Sequence, residues 1–152
     1  MSYKTINELN HFNFKEAHIA SLEFSASSFL AYLDQVTILP ENSKNHDIRE
    51  MRTNDLCLKI TDATITSFIE EGYKVYDADG NLKSTYKDTP IPSDKYTETF
   101  QQLFDCMIYS IEKKENFYIF SIDTEDHTYS LTIKGSGDTE EWERFLNVDT
   151  SL

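Results

Sequence analysis

The sequence predicts a strand-dominated α+β fold: an antiparallel curved sheet, barrel or sandwich of about seven or eight strands, with one internal helix and a short C-terminal helix packed on it. Two observations lead there. Apolar and polar residues alternate with a period of two through most of the chain, as half-buried strands require. Clusters of Asp, Asn, Gly and Pro punctuate those runs, and only two segments show clear helical spacing instead.

Residues 1–15 are polar and aromatic without a clear period, and read either as a loose arm or as a first strand. His18, Ala20, Leu22 and Phe24 then share one strand face, with Ile19, Ser21 and Glu23 on the other. Between 27 and 39 two patterns compete: Phe29, Leu30 and Leu33 suit a helical turn, whereas Tyr32, Val36, Thr37 and Ile38 favour a strand. Strand is the reading adopted. Residues 40–47, PENSKNHD, form a polar loop. Leu56, Leu58 and Ile60 then alternate with Cys57, Lys59 and Thr61, and the pattern resumes from Ala63 to Ile69, until Gly72 marks a bulge or bend.

The stretch VYDADGNLKSTY, 75–86, raises a choice between a calcium loop and a turn. With Gly80 at the bend position of an EF-hand loop, Asp77 and Asp79 fall on ligand positions. The first position is then Val75 and the last is Tyr86, so the loop lacks two ligands, including the bidentate one. The expectation is a hairpin in which Asp77, Asp79, Gly80 and Asn81 supply turn chemistry, with no metal or other cofactor. The wording Tyr76-Asp77 followed by Gly80-Asn81-Leu82 resembles the hairpin unit of YD-repeat proteins, which implies a shared turn and no shared function.

Thr89-Pro90-Ile91-Pro92 is expected to stop the sheet, since proline donates nothing to a ladder. Ser93 or Asp94 is placed to cap a helix of about three turns, with Tyr96, Phe100, Leu103, Phe104 and Met107 at helical spacing. A three-strand meander follows. Met107, Tyr109 and Ile111 alternate up to a turn at 113–116; the stretch 117–122 is apolar on both faces, as a central strand would be; Tyr129, Leu131 and Ile133 alternate after a turn at 123–126. At the end, Asp138 precedes Glu141 at the spacing of an acidic capping box, Glu140, Glu141 and Glu143 suit a helix N-terminus, and Trp142, Phe145 and Leu146 supply an apolar face. A meander closed by a terminal helix resembles, in element order alone, pleckstrin-homology-like barrels. That resemblance implies no ligand.

The length of 152 residues fits a single globular domain, 1–152. No run approaches the roughly 18 apolar residues of a membrane span, and the first residues lack the apolar core of a signal peptide, so the expected location is the cytoplasm. Cys57 and Cys106 form no CxxC and read as reduced, buried thiols; His11, His18, His46 and His127 are scattered, without ligand spacing to a cysteine.

The net charge of −13 is unevenly spread, with −2 in residues 1–59 and −11 in residues 60–152. Such a surface repels phosphate backbones and anionic lipid, which argues against nucleic-acid and membrane binding and for a basic protein partner. Enzyme motifs are missing: the chain has no GxSxG, P-loop, GxGxxG or HExxH. Cys106 with His127 is the best nucleophile pairing, yet Asp105 and the apolar neighbours of Cys106 would raise its thiol pKa. Two carboxylate groups remain as candidates for contact with a basic partner: Asp123, Glu125 and Asp126 at a turn, and Glu140, Glu141 and Glu143 on the expected helix. In size, acidity and lack of catalytic motifs the chain resembles bacterial immunity proteins. That resemblance implies a non-catalytic binding or inhibitory module that neutralises a toxin. The alternative is a small apolar ligand enclosed by the sheet.

Overall fold

The computed structural model describes residues 2–148. The period-two alternation is realised first as β1 Tyr3–Ile6, β2 Phe12–Asn13, β3 His18–Ser25, β4 Ser28–Asp34, β5 Val36–Ile38, β6 Met51–Thr53, β7 Leu56–Thr61 and β8 Thr64–Glu70. The chain continues through β9 Tyr73–Tyr76, β10 Leu82–Tyr86, β11 Thr89–Pro90, the helix α1 Tyr96–Gln102, β12 Met107–Lys114, β13 Phe117–Asp123, β14 Thr128–Lys134, β15 Gly137–Trp142 and β16 Leu146–Asn147. Strands dominate, and α1 is the one α-helix among the described residues.

Ten strands form one antiparallel sheet in the order β1-β15-β7-β4-β3-β12-β13-β14-β8-β11; β16-β6-β5-β2 make a second sheet, and β10-β9 a separate hairpin. The large sheet bends back on itself. Phe29 of β4 and Phe120 of β13 have ring centroids 5.5 Å apart, although β4 and β13 stand three places apart in a sheet whose strands are spaced by about 4.8 Å. Tyr118 of β13 reaches Asp138 of β15 at 2.7 Å from five places away. The sheet does not close: β1 and β11 are its two free ends. The barrel expectation therefore fails, and the strand count exceeds the seven or eight expected: the large sheet alone has ten, and β2, β5, β6 and β16 build a sheet of their own.

The core lies between the folded halves. Leu56, Leu58 and Ile60 of β7 point into it, as do Tyr118, Phe120 and Ile122 of the central strand β13. Phe100 of α1 stacks on Phe68 of β8 at 5.4 Å and meets Phe29 edge-on at 5.8 Å, so the helix plugs the open side of the fold.

Several local expectations are corrected. The helix runs only seven residues after a 3-10 turn at Ser93–Lys95, and neither Ser93 nor Asp94 caps it with a side chain. Thr89 and Pro90 do end the sheet, but as its last strand, paired with β8, a place proline tolerates at an edge. A register shift between Ile19 and Ser21 in β3 turns both Ile19 and Leu22 inward, against the simple alternation. Residues 3–6 are an edge strand rather than a loose arm, and Leu9, Phe12 and Phe14 behind them are core. Both cysteines are free, but each is only partly buried.

The largest correction is at the C-terminal end, where the expected helix is β15 followed by β16. β15 fills the gap between β1 and β7, with Trp142 opposite Tyr3 and Glu140 opposite Leu58. Alternation along it sends Asp138, Glu140 and Trp142 inward and leaves Glu141 outside. Trp142 is 1% exposed, packed among Tyr3, Phe12 and Phe145.

Only four glycines serve this turn-rich chain, and among the described residues eight non-glycine residues take positive φ, including Glu16, Asp55, Asp62, Asp105 and Glu115. Part of the acidity therefore sits at tight turns, where a short polar side chain tolerates left-handed backbone better than a branched one. Gly72 answers a different need: a Cβ there would lie 2.0 Å from the Tyr86 carbonyl oxygen, so the chain passes too close to itself for any side chain.

Candidate binding groove

The first residues of β3 and β12 meet at one pair, His18 opposite Met107. Met107 in turn faces Asp123, the last residue of β13. This junction gathers side chains distant in sequence around a groove of about 460 Å³. Glu16, Asp105, Asp123 and Glu125 line it, against the positively charged Lys15 and the imidazole of His18, over an apolar floor that includes Met107 and Tyr109. Left-handed backbone at Glu16 (φ 71°) and Asp105 (φ 63°) turns the chain sharply on either side. His18 Nδ1 lies 3.2 Å from Asp105 Oδ1, and the Lys15 ammonium sits 5.5 Å from the centroid of the Tyr109 ring.

Of the residues expected to contact a partner, Asp123 and Glu125 line this groove, and Asp126 is exposed on the same β13–β14 turn. The turn is held by Thr124, whose Oγ1 accepts from the backbone N–H of His127 at 2.9 Å, and by Thr128, whose hydroxyl donates to Asp123 Oδ1 at 3.1 Å. Glu141 and Glu143 are exposed elsewhere, on and just after β15. Glu140 is no contact residue. It is 0% exposed, and Asp138 beside it is 1% exposed. The six carboxylates therefore do not form one surface.

Asp138 and Glu140 belong to a sealed polar cluster. Thr5 donates to Glu140 Oε1 at 2.8 Å; Asp138 accepts from the Tyr118 hydroxyl at 2.7 Å, the Lys113 ammonium at 3.2 Å and the Leu9 backbone N–H at 3.2 Å. Burial, then the hydrogen bond to and charge of Asp138, push the Glu140 carboxyl up to about 9, so it keeps its proton at neutral pH. Burial works against the charge on Asp138, but hydrogen bonds from Glu140, Tyr118 and Lys113 outweigh it and hold this carboxyl below its ordinary value. Of the two acids, Glu140 keeps the proton and Asp138 carries the charge. Both carboxyls are buried, and only the Lys113 side chain of the cluster, 25% exposed, reaches solvent.

The pairing of Cys106 with His127, disfavoured already by the neighbours of Cys106, gains no support. His127 Nδ1 lies 3.0 Å from Glu70, while Cys106 lines the groove, its thiol pushed up by burial and by the Asp105 charge. Among the described residues, no group of three or more His, Cys, Asp or Glu side chains is placed to hold a metal ion. Asp77 and Asp79 sit in the expected hairpin turn. Asp77 Oδ1 accepts from the backbone N–H of Asp79 at 3.0 Å and of Asn81 at 2.9 Å, and Gly80 takes φ 84°.

Sequence reasoning missed Lys15, Glu16, His18 and Asp105 as neighbours of Asp123 and Glu125. No local pattern joins them, because the groove is made by the β3–β12 junction. A signal did exist for Glu140: from Gly137 onward, Asp138, Glu140 and Trp142 alternate with Thr139, Glu141 and Glu143. No helix among the described residues is long and apolar enough to cross a membrane. No protein-family model, curated protein or solved structure matches the chain.

Proposed function

We propose that the protein is a non-catalytic binding or inhibitory module of the cytoplasm that pairs with a basic protein partner, in the manner of immunity-type proteins that neutralise a toxin. The observation that carries this reading is the set of four carboxylates, Glu16, Asp105, Asp123 and Glu125, around one groove in a chain of net charge −13. Carboxylates around an apolar floor suit a lysine or arginine whose aliphatic stem lies on Met107 and Tyr109. The same charge disfavours nucleic acid and anionic membranes. A small apolar ligand within the sheet has less support, because the Phe29–Phe120 and Phe68–Phe100 contacts occupy the space between its halves.

The test is a partner recovered at low salt whose association rate falls steeply between about 50 and 500 mM salt, as the Debye length contracts from roughly 14 to 4 Å. Reversal of Asp123 and Glu125 to Lys should slow that association, with a stability cost confined to the lost Thr128–Asp123 hydrogen bond and checked by thermal unfolding. Equal association by the reversed variant would remove the groove from the interface.

A further inference from the structure

We infer that the groove between β3 and α1 takes an extended segment of a partner protein as an added strand, with an aromatic or aliphatic side chain between Phe24 and Phe104 and a basic residue facing Glu23. This goes beyond the acidic groove and uses a different surface.

The antiparallel strands β3 and β12 overlap only through their first residues and then run apart. Around the His18–Met107 pair the Ile19 N–H donates to the Cys106 carbonyl at 2.9 Å and the Asp105 N–H to the Ile19 carbonyl at 2.7 Å, while Ile108 exchanges hydrogen bonds with Glu16 and Ala17, ahead of β3. From Ala20 to Ser25, β3 pairs with β4 alone among the described residues. The two-residue turn Ala26-Ser27 makes Ser25 and Ser28 the closing hydrogen-bonded pair, so Glu23 also points its backbone groups at β4. Those of Leu22 and Phe24 point to the open side, the arrangement an incoming strand requires.

The helix α1 forms the opposite wall. Leu22, Phe24, Phe100 and Phe104 line a groove of about 430 Å³, and two of these large rings remain in water, Phe24 at 44% and Phe104 at 66% exposure. A strand laid there would cover both. Glu23 is the one charged residue among the lining residues, and no cation pairs with it among the described residues. The occupant is therefore extended, apolar on the side facing the groove, and positively charged beside Glu23.

The experiment uses the full chain and a synthetic peptide of about ten residues, alternating valine and threonine around a central phenylalanine, with one lysine. Amide resonances of Leu22 and Phe24 should shift downfield on titration and exchange at least about tenfold more slowly, since exchange reports hydrogen-bonded protection. Phe104→Ser, an exposed change that spares the core, should weaken binding roughly tenfold. Glu23→Lys should weaken the lysine peptide more than its lysine-free analogue. A peptide methylated at alternate backbone nitrogens should not bind. Equal binding by that methylated peptide, or loss of binding in the Asp123→Lys, Glu125→Lys variant instead of in Phe104→Ser, would overturn the proposal. The second of these results would place the peptide in the acidic groove, so the two surfaces fail separately.

Discussion

The β9–β10 turn and strand β15 are both short, glycine-marked and rich in carboxylates, yet their acids have opposite lives. Asp77 bonds the backbone of Asp79 and Asn81, two and four residues away, and stays in water. Asp138 and Glu140 are sealed from water, with partners at Thr5, Leu9, Lys113 and Tyr118 that lie 20 to 135 residues away in the chain. A carboxylate serving its own loop reveals itself in local spacing; one whose partners arrive from other strands does not. Counting acidic residues therefore overstates the acidic surface, because the inward face of β15 carries two of them.

The sharpest way to test this contrast is to delete one acid from each region. Asp138→Ala removes the partner of the Lys113 ammonium, strands the buried Tyr118 hydroxyl and leaves Glu140 without its acceptor, and should cost about 3 to 5 kcal/mol. Asp77→Ala loses two exposed hydrogen bonds and should cost about 1 kcal/mol. Equal losses in denaturant titrations would erase the distinction.

A second expectation concerns pH. The folded protein holds the Glu140 proton up to about 9, whereas the unfolded chain releases it near the ordinary value of 4.5. Proton binding thus favours the folded state between those values, so this contribution is fully present below about 4.5 and is lost as pH rises through about 9. Asp138 has the opposite sign: its folded value is lowered, so its contribution is present above its ordinary 3.8 and is lost as pH falls through the folded value. Glu140→Gln keeps a donor toward Asp138 and an acceptor for Thr5 without a titrating proton. Its stability should be flatter than the wild type's between about pH 6 and pH 9.5, measured by denaturation at each pH. An unchanged slope would show that Glu140 is not the group responsible.

A further small effect is expected at the turn. Gly80→Ala meets no atom within 4 Å, so only its φ of 84° opposes the substitution, and the cost should be about 1 to 2 kcal/mol. A stabilising result would mean the turn accepts another conformation.

The same division governs what could be read from residues alone. The hairpin at Asp77–Asn81, the alternation in β7 and the β12–β13–β14 meander were legible because neighbours in sequence are neighbours in the sheet. The segment 138–146 was not. Asp138 and Glu141 fit a capping box, and Trp142, Phe145 and Leu146 fit a helical face, while the same residues also alternate as a strand. What decides between them is the slot between β1 and β7, formed by residues that local spacing does not connect to this segment. The candidate groove was half legible for a like reason: Asp123 and Glu125 stand out at their turn, but Glu16 and Asp105 reach it only through the β3–β12 junction.

The pairing of β1 with β15 also bears on the order of events at the ribosome. Tyr3 to Ile6 leave the exit tunnel long before their partners, Thr139 to Trp142, have been made. Until then β7 lacks β15 along one edge, and Thr5, Lys113 and Tyr118 lack the acids they bond. Completion of the sheet must therefore follow synthesis of nearly all the described residues, and contacts this distant in sequence favour slow folding. A nascent chain stalled before residue 137 would carry the meander and the hairpins with an unpaired β7 edge, a natural target for chaperones.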